Sequence, residues 1–317
     1  MDYRTKEFAR LYGLVSEQLS DLATDRLWRT SPERDWLAYL IIVFQELYAD
    51  WERDPRLAAY LSGLESSPDG DGRDVHPVFR LAGHVYLHVS YDLVRGLAGT
   101  LDAAVPVLPA HLNIVPANVK TLAVPPPVKA TSRVEARLAF LAASPAFSAA
   151  LQNKDAVDLL ADVSVWAKVL GILPKEKRQL ALRAISQWVL ALRNAAFIAA
   201  ETIADIAPAD RAVMVGRLLQ GIEAARRETQ KCFKTTDFEP WGFPILGVAP
   251  LPFVLAQPWM IAAGVALILL MGWASRIVQI RRRQQELLDA IDALGLGILR
   301  ALMQAGSEAK EFPRRPG

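Results

Sequence analysis

Apolar residues along the first 230 positions recur at spacings of three and four, the mark of helices that bury one face. Phe8, Leu11, Tyr12, Val15, Leu19 and Leu22 draw such a face over Thr5 to Thr24. Ser31-Pro32-Glu33 then supplies an N-cap, a first-turn proline and a first-turn acid. The helix it starts runs through Trp36, Leu40, Val43, Phe44 and Leu47 to about Trp51. A third long helix begins at His76-Pro77 and reaches about Leu101. Ser132-Arg133-Val134-Glu135 is a capping box, and helices are expected at about Ser132–Ala143, Ala146–Gln152, Asp155–Leu170, Pro174–Ile206 and Asp210–Lys231. No stretch alternates with period two for long enough to make a sheet. The polar run 66–74 and the proline-punctuated run 105–130 carry no pattern and read as connections.

The pattern changes at Pro240. From there to Ser275, 36 consecutive residues contain no Asp, Glu, Lys, Arg or His. Pro258 fits a first helical turn, and a helix from Pro258 through Ile280 would be about 23 residues, or roughly 34 Å, enough to span a bilayer. Trp259 and Trp273 lie near its ends, and Arg276, Arg281, Arg282 and Arg283 close it with a basic cluster. Beyond it, Leu287, Leu288, Ile291, Leu294, Ile298, Leu299 and Leu302 make a second apolar stripe over 284–303. That helix would lie on the bilayer surface, self-associate or pack back on the main domain. The residues from Ser307 are expected to be disordered. The chain therefore divides into an all-helical domain over 1–235, a membrane segment over 240–280, and an amphipathic helix with its tail over 281–317. The expected fold class is an all-α helical bundle followed by a transmembrane or re-entrant helix and an amphipathic tail helix.

Composition refines this picture. The net charge is +2, so no global field argues for nucleic acid. One cysteine, Cys232, leaves no internal disulfide. The opening MDYRTKEFAR lacks the apolar stretch of a signal peptide, which places the main domain in the cytoplasm at the inner or plasma membrane. The basic cluster also favours the cytoplasm. Either the helix spans once and the tail is exported, or 243–256 enters, turns near Pro258 and returns, leaving both ends on one side. The second arrangement is favoured, with the lipid bilayer as partner and self-association through 284–303.

Candidate chemistry sits on the third helix. His84, His88 and Asp92 fall at i, i+4 and i+8, with Tyr91 and Arg95 on the same side. Val85, Leu87, Val89, Leu93 and Leu97 flank them, so the polar line faces the interior, where it must be hydrogen-bonded or coordinate something. Three readings stay open: a divalent metal held by His84, His88 and Asp92 with Glu46, Asp50 or Glu201 as a fourth ligand; a metal-free acid/base site; or a satisfied core network.

The His88-x-x-x-Asp92-Leu93 segment after Ala82-Gly83 resembles the A-H-I-x-x-D-L signature of a bacterial all-helical family catalogued as domain of unknown function 5995. Val43 to Trp51 (VFQELYADW) is similar to that family's aromatic second helix, and Trp188, Arg193-Asn194 and Glu201 to its later helix. The resemblance covers roughly residues 1 to 235 and implies a helical fold with His88, Asp92, Arg193 and Glu201 as candidate catalytic residues; it implies no particular reaction. In the enzymatic reading His88 is a general base or metal ligand, Asp92 orients it, and Arg193 binds an anionic group of a small or lipophilic substrate. The alternative is a non-catalytic, membrane-anchored binding or scaffolding module.

Overall fold

The computed structural model describes residues 6–25, 31–49, 51, 53–65, 75–101, 132–151, 175–232 and 258–315. The chain is all-α, and no strand is present among the described residues. The expected connections over 66–74 and 105–130, the expected helix at 155–170 and the expected apolar arm at 243–256 lie outside them.

Four helices form the N-terminal part: α1 (Lys6–Thr24), α2 (Ser31–Ala49), α3 (Ala58–Glu65) and α4 (Pro77–Leu87). The apolar stripe of α1 packs on α2 and α4, burying Phe8, Leu11 and Val15. The eight-residue α3 was not expected; two turns are too short to establish a period. It buries Tyr60, Leu61 and Leu64. A single π-turn, His88–Asp92, joins α4 to α5 (Leu93–Thr100), and everything from Leu81 to Leu101 is buried. The expected third helix is thus continuous but not uniformly α.

The expected capping box is present. The Ser132 hydroxyl accepts from the Glu135 N–H, and the Glu135 carboxylate accepts from the Ser132 N–H, starting α6 (Arg133–Ala142). With α7 (Ser144–Leu151) it forms Arg133–Leu151, the one stretch among the described residues long and apolar enough to cross a membrane by length and composition. One face of it packs into the bundle, where Ala136, Ala139, Phe140, Phe147, Ala150 and Leu151 are buried and α7 packs on α1, while Val134, Leu138 and Leu141 are exposed.

Two long helices, α8 (Lys175–Asp205) and α9 (Pro208–Cys232), complete the scaffold against α10 (Pro258–Glu308). The expected membrane helix and the expected amphipathic tail helix are one element. At 51 residues α10 is roughly 76 Å long. Nothing between Ser275 and Leu287 interrupts it, because Arg and Gln propagate a helix as well as Leu does. Its C-terminal half buries Ile291, Leu294, Ile298, Leu302 and Ala305 between α8 and α9, so of the three fates expected for this stripe, packing on the main domain is the one observed. Helix contact here is close. A Cβ on Gly295 would stand 2.6 Å from the Trp188 ring, and one on Gly297 2.9 Å from the Ala225 Cβ.

The residues after Ser307, expected to be disordered, are ordered to Arg315. A 3-10 turn, Ala309–Glu311, follows α10. The Ala207 N–H then donates to the Pro313 carbonyl at 3.1 Å, and the Arg315 N–H to the Asp205 carbonyl at 2.9 Å. The tail is held by backbone groups that the α8–α9 turn leaves unmade, which its own polar composition does not reveal.

The N-terminal half of α10 differs in kind. Leu267, Leu269, Leu270, Met271, Trp273 and Val278 are all more than half exposed.

Candidate functional site

The site is assembled from the α4–α5 helix and the end of α2. His76 caps α4, its Nδ1 accepting from the Val78 N–H at 3.2 Å, with Pro77 in the first turn. Burial pushes His76 down to about 4. About three turns on, the hydrogen-bond ladder widens: the Leu93 N–H donates to the His88 carbonyl, five residues back. The Ser90 hydroxyl donates to the Tyr86 carbonyl inside the same turn. π-turns of this kind recur at functional sites.

The π-turn leaves His88 and Asp92 facing one another, with His88 Nδ1 2.8 Å from Asp92 Oδ2. The same oxygen accepts the Trp51 indole N–H at 2.5 Å. Arg95 Nη1 stands 3.5 Å from Asp92 Oδ1 and 3.5 Å from Asp54 Oδ2. Arg56 clamps Asp54 with Nε at 2.7 Å and Nη2 at 2.6 Å, while its backbone N–H closes an Asx turn on Asp54 Oδ1 at 3.0 Å. Desolvation raises the Asp54 pKa, but the guanidiniums of Arg56 and Arg95 outweigh it and hold the carboxyl below its usual range.

Aromatic rings enclose the imidazole. Phe44 stacks on His88 with centroids 3.7 Å apart, and Tyr12, Tyr48, Phe8 and Trp51 stand at 4.9 to 5.8 Å. Burial lowers the His88 pKa, although the hydrogen bond and charge of Asp92 oppose the shift. The ring is therefore neutral at pH 7. Its Nε2 is buried and has no hydrogen-bond partner. Burial likewise pushes the Tyr91 hydroxyl up to about 12, against the Arg95 charge beside it.

Of the residues expected to form the site, His88 and Asp92 are brought together. His84 is adjacent but differently engaged: its Nδ1 lies 2.8 Å from the Arg80 carbonyl, and its ring stacks on Phe8 and Trp51 at 5.8 Å. Among the described residues no three of His, Cys, Asp and Glu gather as metal ligands. Within the expected His84/His88/Asp92 set, His84 Nδ1 is held by the Arg80 carbonyl and His88 Nδ1 by Asp92 itself. The side chains of Glu46 and Asp50 lie outside the described residues.

Arg193 and Glu201 belong elsewhere. Arg193 is buried against the end of α6, donating to the Phe140 carbonyl at 2.6 Å and to the Ser144 hydroxyl at 2.5 Å. Its guanidinium also lies 3.6 Å from the Phe140 ring centroid. Burial pushes it down to about 9. Glu201 stands 3.9 Å from Arg137 on α6. Both residues tie α8 to α6, so of the four residues expected to be catalytic only His88 and Asp92 lie together.

Sequence reasoning missed Trp51 as the second donor to Asp92, the Asp54–Arg56 clamp, and the ring of Phe8, Tyr12, Phe44 and Tyr48. The aromatic density of VFQELYADW was the available signal for the ring. No family model matches this chain, and neither a curated protein nor a solved structure matches it.

Proposed function

We propose that this is a membrane-attached helical protein whose His88–Asp92 pair is its working site, with His88 Nε2 as the acceptor of a proton from a small bound molecule. The observation that carries this reading is the buried, unpartnered Nε2 on an imidazole whose Nδ1 is bound to a carboxylate. A neutral imidazole that donates from Nδ1 presents a lone pair at Nε2. A buried acceptor left unmade costs about 1–3 kcal/mol, so a purely structural pair gains nothing by it. Asp92 fixes the ring and would stabilise the imidazolium formed on proton transfer. Trp51 and Arg95 in turn fix Asp92. The segment that resembles the signature of the domain of unknown function 5995 family holds both residues.

The test is nitrogen NMR of the ¹⁵N-histidine-labelled protein. A His88 signal with the proton on Nδ1 and a pKa below 6.5 agrees with a basic Nε2. A proton on Nε2 would remove the acceptor and with it the reading.

Membrane attachment is supported by the exposed apolar half of α10 and the basic residues that end it. The path has a further constraint. Residues from Leu287 onward share a core with α8 and α9, so a single crossing would separate parts of one bundle. We therefore read 240–280 as entering the bilayer and returning to the side it left. Cysteine labelling tests this, with Glu17→Cys or Gln285→Cys placed singly in a Cys232→Ala chain. In sealed, oriented vesicles an impermeant maleimide should reach both from the same side; labelling from opposite sides would overturn the arrangement.

The non-catalytic scaffold draws support from the close stacking of Phe44 on His88. A His88 signal indifferent to every small molecule tried would favour it.

A further inference from the structure

Resting on the reading of the exposed half of α10 as bilayer-bound, we infer that the base of the bundle carries a basic surface for the headgroups of anionic phospholipids. Helix register carries the inference. A Cβ on Gly295 of α10 would meet the Trp188 ring of α8, and one on Gly306 would stand 3.7 Å from the Ala199 Cα. Both pairs are 107 positions apart, so α8 and α10 run parallel and in step. Counting back along the two helices sets Lys175, the first residue of α8, level with Arg282, at the roughly 8–10 Å spacing of packed helices. Two stretches far apart in sequence thus reach one end of the fold.

Both stretches are basic. From Ser275 to Glu286, α10 holds Arg276, Arg281, Arg282 and Arg283 against one acid, Glu286. The first turn of α8 holds Lys175, Lys177 and Arg178 against Glu176. Glu286 is already paired with Arg282 at 3.0 Å. Arg281 is exposed and has no ion-pair partner among the described residues. Farther into the bundle the charges balance: exposed Arg183 and Lys231 come level with Ala290 and Ile291, beside Asp289 and Asp292. The excess of positive charge therefore lies where the bundle meets the apolar half of α10.

The same helix indicates what covers this surface. Arg281 and Arg282 follow Leu270 and Met271 by eleven residues, close to three turns, and so continue the faces on which those two are exposed. A face that is first apolar and then basic matches the acyl chains and headgroups of one leaflet. A soluble polyanion would engage the arginines and leave the leucine and methionine bare. Anionic lipids supply the counter-charge that zwitterionic ones lack.

The experiment reconstitutes the full chain, purified in detergent, into phosphatidylcholine vesicles. Electron paramagnetic resonance then compares how much spin-labelled phosphatidylglycerol and spin-labelled phosphatidylcholine the protein immobilises. Phosphatidylglycerol should be preferred roughly fivefold, the factor that one basic residue at an anionic surface supplies. About 1 M salt should remove the preference. Arg281→Gln/Arg282→Gln should abolish most of it, and Lys175→Gln/Lys177→Gln/Arg178→Gln should lower it. Arg300→Gln, roughly 27 Å beyond Arg282 along α10, should leave it unchanged. The wild-type salt comparison stands by itself if a variant does not fold. Equal immobilisation of the two lipids, a preference indifferent to salt, or one that the α8 variant leaves intact would each overturn the inference. Failure of the chain to float with neutral vesicles would instead overturn the bilayer reading beneath it, so the two failures are told apart.

Discussion

Trp51, in the turn after α2, and His88, in the π-turn between α4 and α5, converge on a single oxygen, Asp92 Oδ2, at 2.5 and 2.8 Å. The two donors compete for one carboxylate, so changing one alters what the other feels. In Trp51→Phe the carboxylate loses its indole donor and becomes a stronger partner for the imidazole. The His88 pKa should rise towards 6.5 or beyond, and stability should fall by about 1–3 kcal/mol, the cost of an unmade buried hydrogen bond. NMR titration and a denaturant melt read the two effects; a His88 pKa that falls would contradict the competition.

Asp92→Asn should move His88 the opposite way. Without the carboxylate, burial acts on the imidazole unopposed, and its pKa should drop below that of the wild type. Arg95 loses one of its two carboxylates, and removing one partner of a buried pair costs about 3–5 kcal/mol. A melt no lower than wild type would show that this network is not load-sharing in the folded state.

Acid should destabilise the protein through its histidines. His88 and His76 are bases whose folded pKa lies below the unfolded value, at about 4 for His76. Below 6.5 the unfolded chain binds more protons than the folded one. The stability present above about pH 7 is therefore lost as pH falls through 6.5 towards each folded pKa, with a slope of up to about 1.4 kcal/mol per pH unit for each histidine. His76→Asn keeps a capping acceptor but cannot titrate, so it should flatten the slope between pH 6.5 and 4. Melts at stepped pH check this.

Glycine positions on the packed helices should diverge in sign. Gly295→Ala drives a methyl against the Trp188 ring and should cost about 1–3 kcal/mol. Gly216→Ala on α9 meets nothing within 4 Å and should stabilise by about 0.5–1 kcal/mol. Equal effects at the two sites would mean that α8 and α10 do not approach as described.

Arg193→Met separates tie from site. It leaves the Phe140 carbonyl without its donor and should lower stability by about 1–3 kcal/mol while leaving the His88 resonances in place. Movement of those resonances would return Arg193 to the site.

Much of this was legible in the sequence because it is local. The stripe of α1, the Ser132–Glu135 box and the His88–Asp92 pair each depend on residues three or four apart. What escaped depends on distance along the chain or on small changes of pitch. Trp51 reaches Asp92 across 41 positions, and Arg193 reaches Ser144 across 49. The π-turn adds one residue to a turn and leaves the side-chain pattern nearly as an α-helix would have it. The shift from apolar to basic at Arg276 reads as a boundary because it changes the solvent preference of the side chains. Backbone hydrogen bonding is indifferent to it, so α10 continues through.

That continuity makes the apolar half of α10 and the bundle share a phase as well as an axis. Each residue of an α-helix advances 100° and 1.5 Å, so the direction in which Leu270 and Trp273 point is set by counting back from Ile291. One residue inserted between Ser275 and Gln284 would swing the exposed half by about 100° against the core, whereas four would bring it almost back into alignment, one turn farther out. The spacing of that short polar stretch therefore works as an angular setting, fixing which side of the exposed half looks past the α8–α9 face.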